Sequence, residues 1–310
     1  RQQDANEFTK FLLDIFWETV QHSKNDEQYS HPFYNKYKEL KQNNVDPYFG
    51  GLISNNVKCL TCGNISTRME SFTELSLAFY ENESKTDDNT SVIQMIKNHF
   101  KKETLDGDNK YFCDKCNAKV AAHRYACIKH TSKYLIVCLK RFAWDLKTMK
   151  RRKIMTSVDC PYELILPLND IENNIEQINI ENNAEDTKMD DEAFDNIKQS
   201  KYILYGAIIH SGKSAEFGHY YTIARNSQTA MKDYYNNTDI TNTKWHLFND
   251  TRVSDSSYNA IQKLSKTYNN DVPYMLFYER IPSQHVPYVI KHINVGNISK
   301  DIPKSINPNG

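Results

Sequence analysis

The chain has 310 residues, of which 39% are hydrophobic and 25% charged, and its 39 Lys and Arg residues balance 39 Asp and Glu residues. A chain of this length can bury about three quarters of its unfolded surface, so its core does not depend on disulfides. A net charge of zero argues against a dedicated nucleic-acid-binding protein, which needs a basic surplus to neutralise phosphates. The sequence has no run of about 18 apolar residues that could span a bilayer. Neither nucleic acid nor a membrane is therefore a predicted partner.

The N-terminal segment predicts a helix with one buried face. Asp4 and Glu7 have the D-x-x-E spacing of a capping box, which makes Asp4 the expected N-terminal cap. The apolar residues that follow recur with a helical period. They are Phe8, Phe11, Leu12, Ile15, Phe16 and Val20. We expect this apolar face to pack on the core.

The rest of the chain predicts mainly strands. Alternating apolar residues between 49 and 80 indicate strands, and residues 91–100 return to helical spacing. Further strands are predicted at 134–139, 203–210, 219–224, 245–248 and 274–278. Residues 169–200 are rich in Asn and acidic side chains and are expected to form a disordered insertion, and the polar tail after residue 281 is expected to lie outside the core. This order predicts an α+β fold with an inserted finger.

Four of the seven cysteines form two C-x-x-C pairs, which are Cys59 with Cys62 and Cys113 with Cys116. Two such pairs supply four thiolates, the ligand set of a tetrahedral structural zinc site, and a turn-forming Gly63 or Asn117 follows each pair. The alternative is two redox-active or disulfide-bonded pairs. We predict bound zinc. The odd number of cysteines disfavours a secreted disulfide framework, so we expect a reducing compartment, the cytoplasm or the nucleus.

His219 is the candidate general base. It follows Gly218 at the predicted start of a strand, and a later strand ends in Asn249 and Asp250. A histidine oriented by an Asn or Asp on a neighbouring strand forms two parts of a nucleophile–base–orienter triad. Because the chain has ten histidines, a structural or surface role for His219 is the alternative.

Taken together, the motifs resemble those of the ubiquitin-specific proteases in that family's order. The matching segments are QQDANEF at 2–8, the two cysteine pairs, LKRF at 139–142, and residues 205–221, 245–253 and 273–278. The resemblance implies a papain-like cysteine protease with thumb, palm and fingers, and a zinc ribbon in the fingers. It would hydrolyse the bond after the C-terminal glycine of ubiquitin, with ubiquitin and ubiquitinated proteins as partners.

The resemblance also implies a subdomain layout within a truncated catalytic domain that spans residues 1–310. The thumb helices would occupy 1–50, the fingers 51–126 and the palm 127–280, with the disordered insertion at about 169–200. Residues 281–310 would form a flexible tail.

By resemblance, His219 would be the base, and Asn249 or its neighbour Asp250 would orient it. A neutral Asn can hold the imidazole tautomer, but it does not stabilise an imidazolium as a carboxylate would. The residues assigned to the channel for the tail of ubiquitin are Asp4, Phe142, His210 and Tyr220. A carboxylate and a narrow aromatic slot suit a tail that carries arginines and ends in two glycines.

Two loops would cover this channel. The basic segment 147–153 is expected to be a solvated loop and one flap, with a nucleic-acid patch as the alternative. Residues 211–218 would form the other flap, and Gly212 and Gly218 would let it move.

The resemblance stops at the nucleophile. The family's Gly-Asn-Thr-Cys box, which precedes the QQD box, has no counterpart here, and none of the seven cysteines replaces it. Cys127 and Cys138 lie in strand-like segments, and Cys160 precedes Pro161. Either an upstream segment is missing, or the protein is a non-catalytic ubiquitin-binding pseudoenzyme. Because the chain begins at Arg1 within a motif and keeps His219 with Asn249, we expect the first explanation.

Overall fold

A computed structural model describes residues 4–22, 48–79, 90–145, 148–167, 199–214, 217–264 and 270–282. Most of the predicted thumb after the first helix, nearly all of the predicted insertion and nearly all of the tail lie outside these residues. At the end of the predicted insertion, however, Gln199 and Ser200 belong to a strand. The boundary at 200 was therefore two residues too late.

The described residues contain four α-helices and eighteen strands. The helices are α1 (Ala5–His22), α2 (Val92–His99), α3 (Ser227–Tyr235) and α4 (Tyr258–Gln262). The strands are β1 (Gly51–Cys59), β2 (Ile65–Phe72), β3 (Leu75–Leu77), β4 (Thr90–Ser91), β5 (Glu103–Leu105), β6 (Tyr111–Cys113), β7 (Ala118–Val120), β8 (Ala122–His130), β9 (Tyr134–Leu139), β10 (Phe142–Asp145), β11 (Lys150–Lys153), β12 (Val158–Asp159), β13 (Glu163–Pro167), β14 (Gln199–Ser211), β15 (His219–Ala224), β16 (Trp245–Asn249), β17 (Arg252–Ser256) and β18 (Asp271–Arg280). Among the described helices, none has the length and apolar character needed to cross a bilayer.

The core lies against an eight-stranded sheet with the order β17-β16-β15-β14-β18-β9-β3, in which β13 also pairs with β14. The apolar run 134–139 forms the buried strand β9, as predicted, and β9 pairs antiparallel with β18 and parallel with β3. Trp245 at the start of β16 is fully buried in the main core cluster. The sheet places the ends of β14, β15 and β16 side by side.

A separate four-stranded sheet with the order β2-β1-β8-β5 forms the inserted finger. The β1–β2 hairpin pairs from Gly51↔Phe72 to Lys58↔Ile65, and β6 and β7 form a second, short hairpin. Cys59 ends β1 and Cys113 ends β6, so each cysteine pair lies at a hairpin turn. Antiparallel pairs dominate the eight-stranded sheet, with β3 and β9 as a parallel pair, and this mixture of helices with a mainly antiparallel sheet confirms the α+β class.

Helix α1 packs on the eight-stranded sheet through a different face from the one predicted. Ala5 and Leu13 contact the cluster that contains Cys138 and Met275, and the Asn6 side chain donates to Cys138 Sγ at 2.9 Å. The contacts of Ala5, Asn6 and Leu13 with the sheet set the rotation of the helix about its axis.

Because of this rotation, three large apolar side chains of α1 are exposed, which are Phe8 (55%), Phe11 (59%) and Ile15 (43%). The prediction that these three residues face the core was wrong. Leu12 is half-buried, and the side chains of Phe16 and Val20 lie outside the described residues.

Candidate active site and metal centre

His219 and Asn249 meet across two neighbouring strands. β15 and β16 pair through Thr222↔Phe248 and Ile223↔Leu247, and this register puts the side chains of His219 and Asn249 on the same face. The His219 Nε2 atom lies 2.6 Å from the Asn249 Oδ1 atom, which is hydrogen-bonding distance. The structure therefore brings together the two residues that the sequence pairs.

This hydrogen bond selects one tautomer of the His219 imidazole. An amide oxygen accepts and cannot donate, so Nε2 carries the proton when it donates to Asn249. The lone pair of the neutral ring then lies on Nδ1. Nδ1 is thus the nitrogen of His219 that can accept a proton.

Asp250 stands in a different relation to the same ring. Its Oδ2 atom lies 3.9 Å from His219 Nε2, beyond a hydrogen bond but within range of an ion pair with a protonated imidazole. Its side chain is 78% exposed, and its backbone has a left-handed φ of 50°, as in a tight turn after β16. The geometry favours Asn249 as the residue that orients His219.

Asp4 is a half-buried helix cap that also binds two tyrosine hydroxyls. Its Oδ1 atom accepts from the backbone N–H of Asn6 at 2.8 Å and of Glu7 at 3.3 Å, which confirms the predicted cap. The Tyr274 hydroxyl donates to the same carboxylate at 3.0 Å, and the Tyr220 hydroxyl lies 3.4 Å from Oδ2. These bonds hold the carboxylate in one orientation.

Four aromatic rings pack in sequence beside Asp4. Phe142 packs edge-on against His210 with ring centroids 5.1 Å apart, His210 packs on Tyr220 at 4.9 Å, and Tyr220 packs on Tyr274 at 5.7 Å. Phe142 also contacts Tyr274 at 5.2 Å, which closes the ring of contacts. Phe142, His210 and Tyr220 are thus neighbours of one another, and Tyr220 reaches Asp4, so the four residues predicted to line the tail channel lie together.

Tyr274 is the member of this aromatic cluster that sequence reasoning missed. It was predicted only as part of a closing strand, because nothing in its local pattern marks a bond to a residue 270 positions away. Its position in β18 is the available signal, since β18 pairs with β14, which carries His210.

His210 is buried, with 3% of its surface exposed, and its Nδ1 atom has no hydrogen-bond partner among the described residues. Burial, and next the positive charge of Lys153, lower the pKa of His210 to about 4. His210 is therefore neutral at physiological pH and packs as an aromatic ring.

Three cysteines lie outside the two pairs, and all three are buried. Cys138 Sγ accepts from Asn6, and burial raises the pKa of Cys138 to about 12. Cys160 Sγ contacts the carbonyl oxygen of Val158, and burial raises its pKa to about 12 as well. Cys127 is 6% exposed on β8 of the finger. Burial thus keeps the thiols of Cys138 and Cys160 protonated, which makes them poor nucleophiles.

The two C-x-x-C pairs converge on one point. The Sγ atoms of all four cysteines lie within 4.8 Å of one another, with Cys59 3.8 Å from Cys116 and Cys62 3.7 Å from Cys113. A tetrahedral metal with four sulfur ligands at about 2.3 Å has an edge of about 3.8 Å. These distances are far longer than a disulfide bond, and all seven cysteines are free thiols. The four residues thus form a set that can hold a metal ion.

The turns around this cluster support metal binding. Gly63 and Asn117 have left-handed φ values of 70° and 48°, as the turn after each pair requires. The backbone N–H of Cys62 donates to Cys59 Sγ at 3.4 Å, and this bond is the main cause that lowers the pKa of Cys59 to about 6. Hydrogen bonding with Cys62 raises the pKa of Cys116 to about 12, so Cys59 is the thiol that ionises more readily of these two. A stabilised thiolate is the form that binds metal.

Comparison with known proteins finds similar proteins both by sequence and by fold. The family model described as ubiquitin carboxyl-terminal hydrolase matches residues 1–278. Ubiquitin carboxyl-terminal hydrolase 35 of Homo sapiens is 31% identical over 196 residues, which cover 63% of this chain and 17% of that protein. Ubiquitin carboxyl-terminal hydrolase 9 of Saccharomyces cerevisiae is 27% identical over 279 residues, which cover 90% of this chain and 31% of that protein. The chain thus spans less than a third of these curated relatives.

Among solved structures, the fold is similar to that of the SAGA Ubp8/Sgf11/Sus1/Sgf73 DUB module bound to ubiquitin aldehyde. The TM-score is 0.60 at 23% identity, and the match covers 90% of this chain and 49% of that chain. At this identity the likeness concerns the fold. The match of the family model across 1–278 shows that the chain belongs to the ubiquitin carboxyl-terminal hydrolase family.

Proposed function

We propose that this chain is the larger part of a deubiquitinase catalytic domain. The full-length protein would hydrolyse the peptide or isopeptide bond after the C-terminal glycine of ubiquitin with a cysteine thiolate. The observation that carries the proposal is the 2.6 Å bond between His219 Nε2 and Asn249 Oδ1, which leaves Nδ1 as the base. The Asp4 carboxylate and the aromatic rings beside it, which we propose as the channel for the tail of ubiquitin, support the same reaction.

In the proposed mechanism, His219 Nδ1 takes the proton of the cysteine thiol, and the thiolate attacks the carbonyl carbon of the terminal glycine. The tetrahedral intermediate collapses to a thioester, and the imidazolium donates its proton to the departing amine. His219 then takes a proton from water, which attacks the thioester. That proton passes to the cysteine sulfur when the free carboxyl end of ubiquitin leaves.

Asn249 and Asp250 would divide the support of His219 between them. Asn249 holds the ring and its tautomer, but its neutral amide does not balance the charge of the imidazolium. The Asp250 carboxylate, 3.9 Å from Nε2, supplies that negative charge. Because Asp250 is 78% exposed, solvent screening keeps its contribution small.

The nucleophile would come from a segment of the full-length protein that these 310 residues do not include. Cys138 and Cys160 have raised pKa values, and four of the other cysteines form the metal-ligand set. The relatives are far longer than the match, which supports this assignment.

Ubiquitin is the proposed partner, and its arginine-bearing tail would pass along Asp4 and the aromatic rings. Asp4 is held by Tyr220 and Tyr274, so its carboxylate is ready to accept from a guanidinium without reorganising. We propose the same thumb, fingers and palm boundaries as above, and location in the cytoplasm or the nucleus.

Structural zinc is the metal that we propose for the four cysteines. Four sulfur ligands from two hairpins fill a tetrahedral shell and leave no open position for catalysis. Cys59, Cys62, Cys113 and Cys116 would therefore tie the β1–β2 turn to the β6–β7 turn, and zinc would supply a structural cross-link.

The function is tested with the full-length protein and ubiquitin that carries a fluorogenic C-terminal amide. We expect turnover that His219→Ala abolishes, and a loss of about 10²-fold or more in Asn249→Ala, because the base loses its orientation. Asp250→Ala should cost less than Asn249→Ala. Equal losses, or full activity in His219→Ala, would contradict the assignment.

The alternative, a non-catalytic ubiquitin-binding protein, makes a different prediction. Such a protein would bind ubiquitin, but it would neither turn over the amide nor react with ubiquitin that carries a thiol-trapping C-terminal warhead. An enzyme of the proposed type would form a covalent adduct with that probe, and His219→Ala would lower the rate at which the adduct forms.

A further inference from the structure

Lys153 is buried although it belongs to the basic segment 147–153, which the sequence predicts to be solvated. It ends β11, opposite Phe142 in the β10–β11 hairpin, and is 7% exposed, whereas Lys150, Arg151 and Arg152 are exposed. Burying a charged ammonium group costs free energy unless its N–H groups find hydrogen-bond acceptors.

The Lys153 ammonium donates to three backbone carbonyl groups. The Nζ atom lies 3.0 Å from the oxygen of His210, 2.6 Å from that of Gly212 and 2.7 Å from that of Asn270. A protonated lysine has three N–H donors, so these bonds use its full donor capacity. A neutral amine has two N–H donors and could not serve all three oxygens.

Lys153 stays protonated at neutral pH in this environment. Burial, and next the positive charge of Arg141, lower its pKa to about 8, and the negative charge of Asp271 partly opposes them. The cation is therefore present under the conditions in which the protein works, at the cost of its desolvation.

The three carbonyl groups belong to the backbone around the candidate active site. His210 is in β14, Gly212 follows that strand, and Asn270 precedes β18. The N–H of Gly212 also donates to the Asn270 oxygen at 3.2 Å, so Lys153 and Gly212 share one acceptor. Lys153 thus joins β11 to the ends of β14 and β18.

The backbone of Gly212 packs against Phe217 and Gly218, which precede His219. A Cβ atom on Gly212 would come within 2.7 Å of the Phe217 carbonyl oxygen and 2.9 Å of the Gly218 Cα atom. The backbone at Gly212 and at Gly218 is therefore in direct contact. A shift of Gly212 would move the start of β15, where His219 lies.

Building on the proposed function, we infer that Lys153 is a positioning residue of the deubiquitinase site. It holds Gly212 and, through it, Gly218 and His219, so that the His219 ring meets Asn249. It also holds the His210 backbone beside Phe142, the aromatic wall of the tail channel. Lys153 acts through these residues and has no contact with substrate.

The first test needs no ubiquitin. Lys153→Met keeps the length of the side chain and removes the donors, and Lys150→Met removes one charge from an exposed position of the same strand. Amide hydrogen exchange of the 310-residue chain should speed up by about 10-fold or more at residues 208–212 and 218–221 in Lys153→Met only. Unchanged exchange there, or the same change in Lys150→Met, overturns the inference.

The second test uses the full-length enzyme. Lys153→Met should lower kcat/KM for the ubiquitin amide by about 10-fold or more, in kcat through His219 and in KM through the channel. Lys201→Met, at an exposed lysine near the opposite end of β14, should stay near wild type. Lys153→Arg should recover little, because a planar guanidinium does not match three carbonyl groups around one point. A lower melting temperature with unchanged kcat/KM would mean a purely structural role and would overturn the inference.

The two tests separate this inference from the proposed function. If the wild-type protein neither cleaves nor binds ubiquitin, the proposed function fails. The exchange measurement then still decides whether Lys153 positions the backbone before His219.

Discussion

The His210 ring lies directly against Gly218, so that a Cβ atom on Gly218 would come within 2.2 Å of His210 Nε2 and 2.6 Å of the Ser211 carbonyl oxygen. Since His210 is buried, a side chain at position 218 has to displace this ring or the backbone, and the ring belongs to the wall of the proposed tail channel. Position 218 therefore requires glycine because His210 and the Ser211 backbone lie too close for a side chain. The sequence had suggested a different reason, which was mobility of the segment 211–218.

Gly218→Ala should therefore lower the kcat/KM of the full-length enzyme by about 10-fold or more, with a smaller effect on its melting temperature. Gly218→Val should be worse. Gly206→Ala is the matched control, because a Cβ on Gly206 meets nothing closer than 3.5 Å. Normal kinetics and normal melting in Gly218→Ala would contradict the prediction.

Tyr274→Phe removes the hydroxyl that donates to both oxygens of Asp4 and keeps the ring. Because the carboxylate loses one orienting partner, we expect ubiquitin to bind the 310-residue chain about 5- to 10-fold more weakly, which is in the range of the net free energy of one ordinary hydrogen bond. Calorimetric titration measures this effect. Tyr235→Phe, at a side chain that is 52% exposed, should bind as wild type.

His210 predicts a loss of stability in acid. Its pKa is about 4 in the folded protein, mainly because of burial, and near 6.5 in the unfolded chain, so the unfolded state binds more protons between these values. The free energy of unfolding therefore falls as the pH drops from 6.5 to 4, by roughly 2 kcal/mol for this group.

His210→Phe should make this acid decline shallower, because phenylalanine keeps the ring and cannot titrate. Urea unfolding at pH 7, 5.5 and 4.5 measures the slope. Part of the slope should persist, since burial also lowers the pKa of His99 and His123. A slope identical to that of wild type would argue against the prediction, and His246→Phe serves as the comparison at a half-buried histidine.

The cysteine cluster predicts about one equivalent of zinc in the purified chain. Cys62→Ser should reduce the metal content below about half an equivalent and lower the melting temperature, because the ion joins the two hairpins. Cys127→Ser, at a cysteine outside the cluster, should keep the metal. Metal analysis with and without a chelator decides the question, and a metal-free wild-type chain that melts normally would exclude a structural ion.

Local patterns determined much of what can be said about this protein. The C-x-x-C spacing, with Gly63 and Asn117 after each pair, predicted the two turns that carry the cysteine cluster, and the capping box predicted the cap at Asp4. The apolar run 134–139 predicted the buried strand β9. Each of these features depends on residues a few positions apart, whose side-chain chemistry and backbone preference act within one turn or one strand.

Tertiary contacts decided the features that local patterns left open or misjudged. Phe8 and Phe11 follow a helical period, yet α1 turns them to solvent, because Asp4 and Asn6 bind groups on distant strands. Tyr274 looks like an ordinary strand residue until it meets Asp4. Lys153 lies in a basic run, and only the packed backbone at the end of β14 and before β18 supplies the three carbonyl oxygens that make its burial favourable. A side chain's partner across the fold is set by how the elements pack, and periodicity within one element carries no information about that partner.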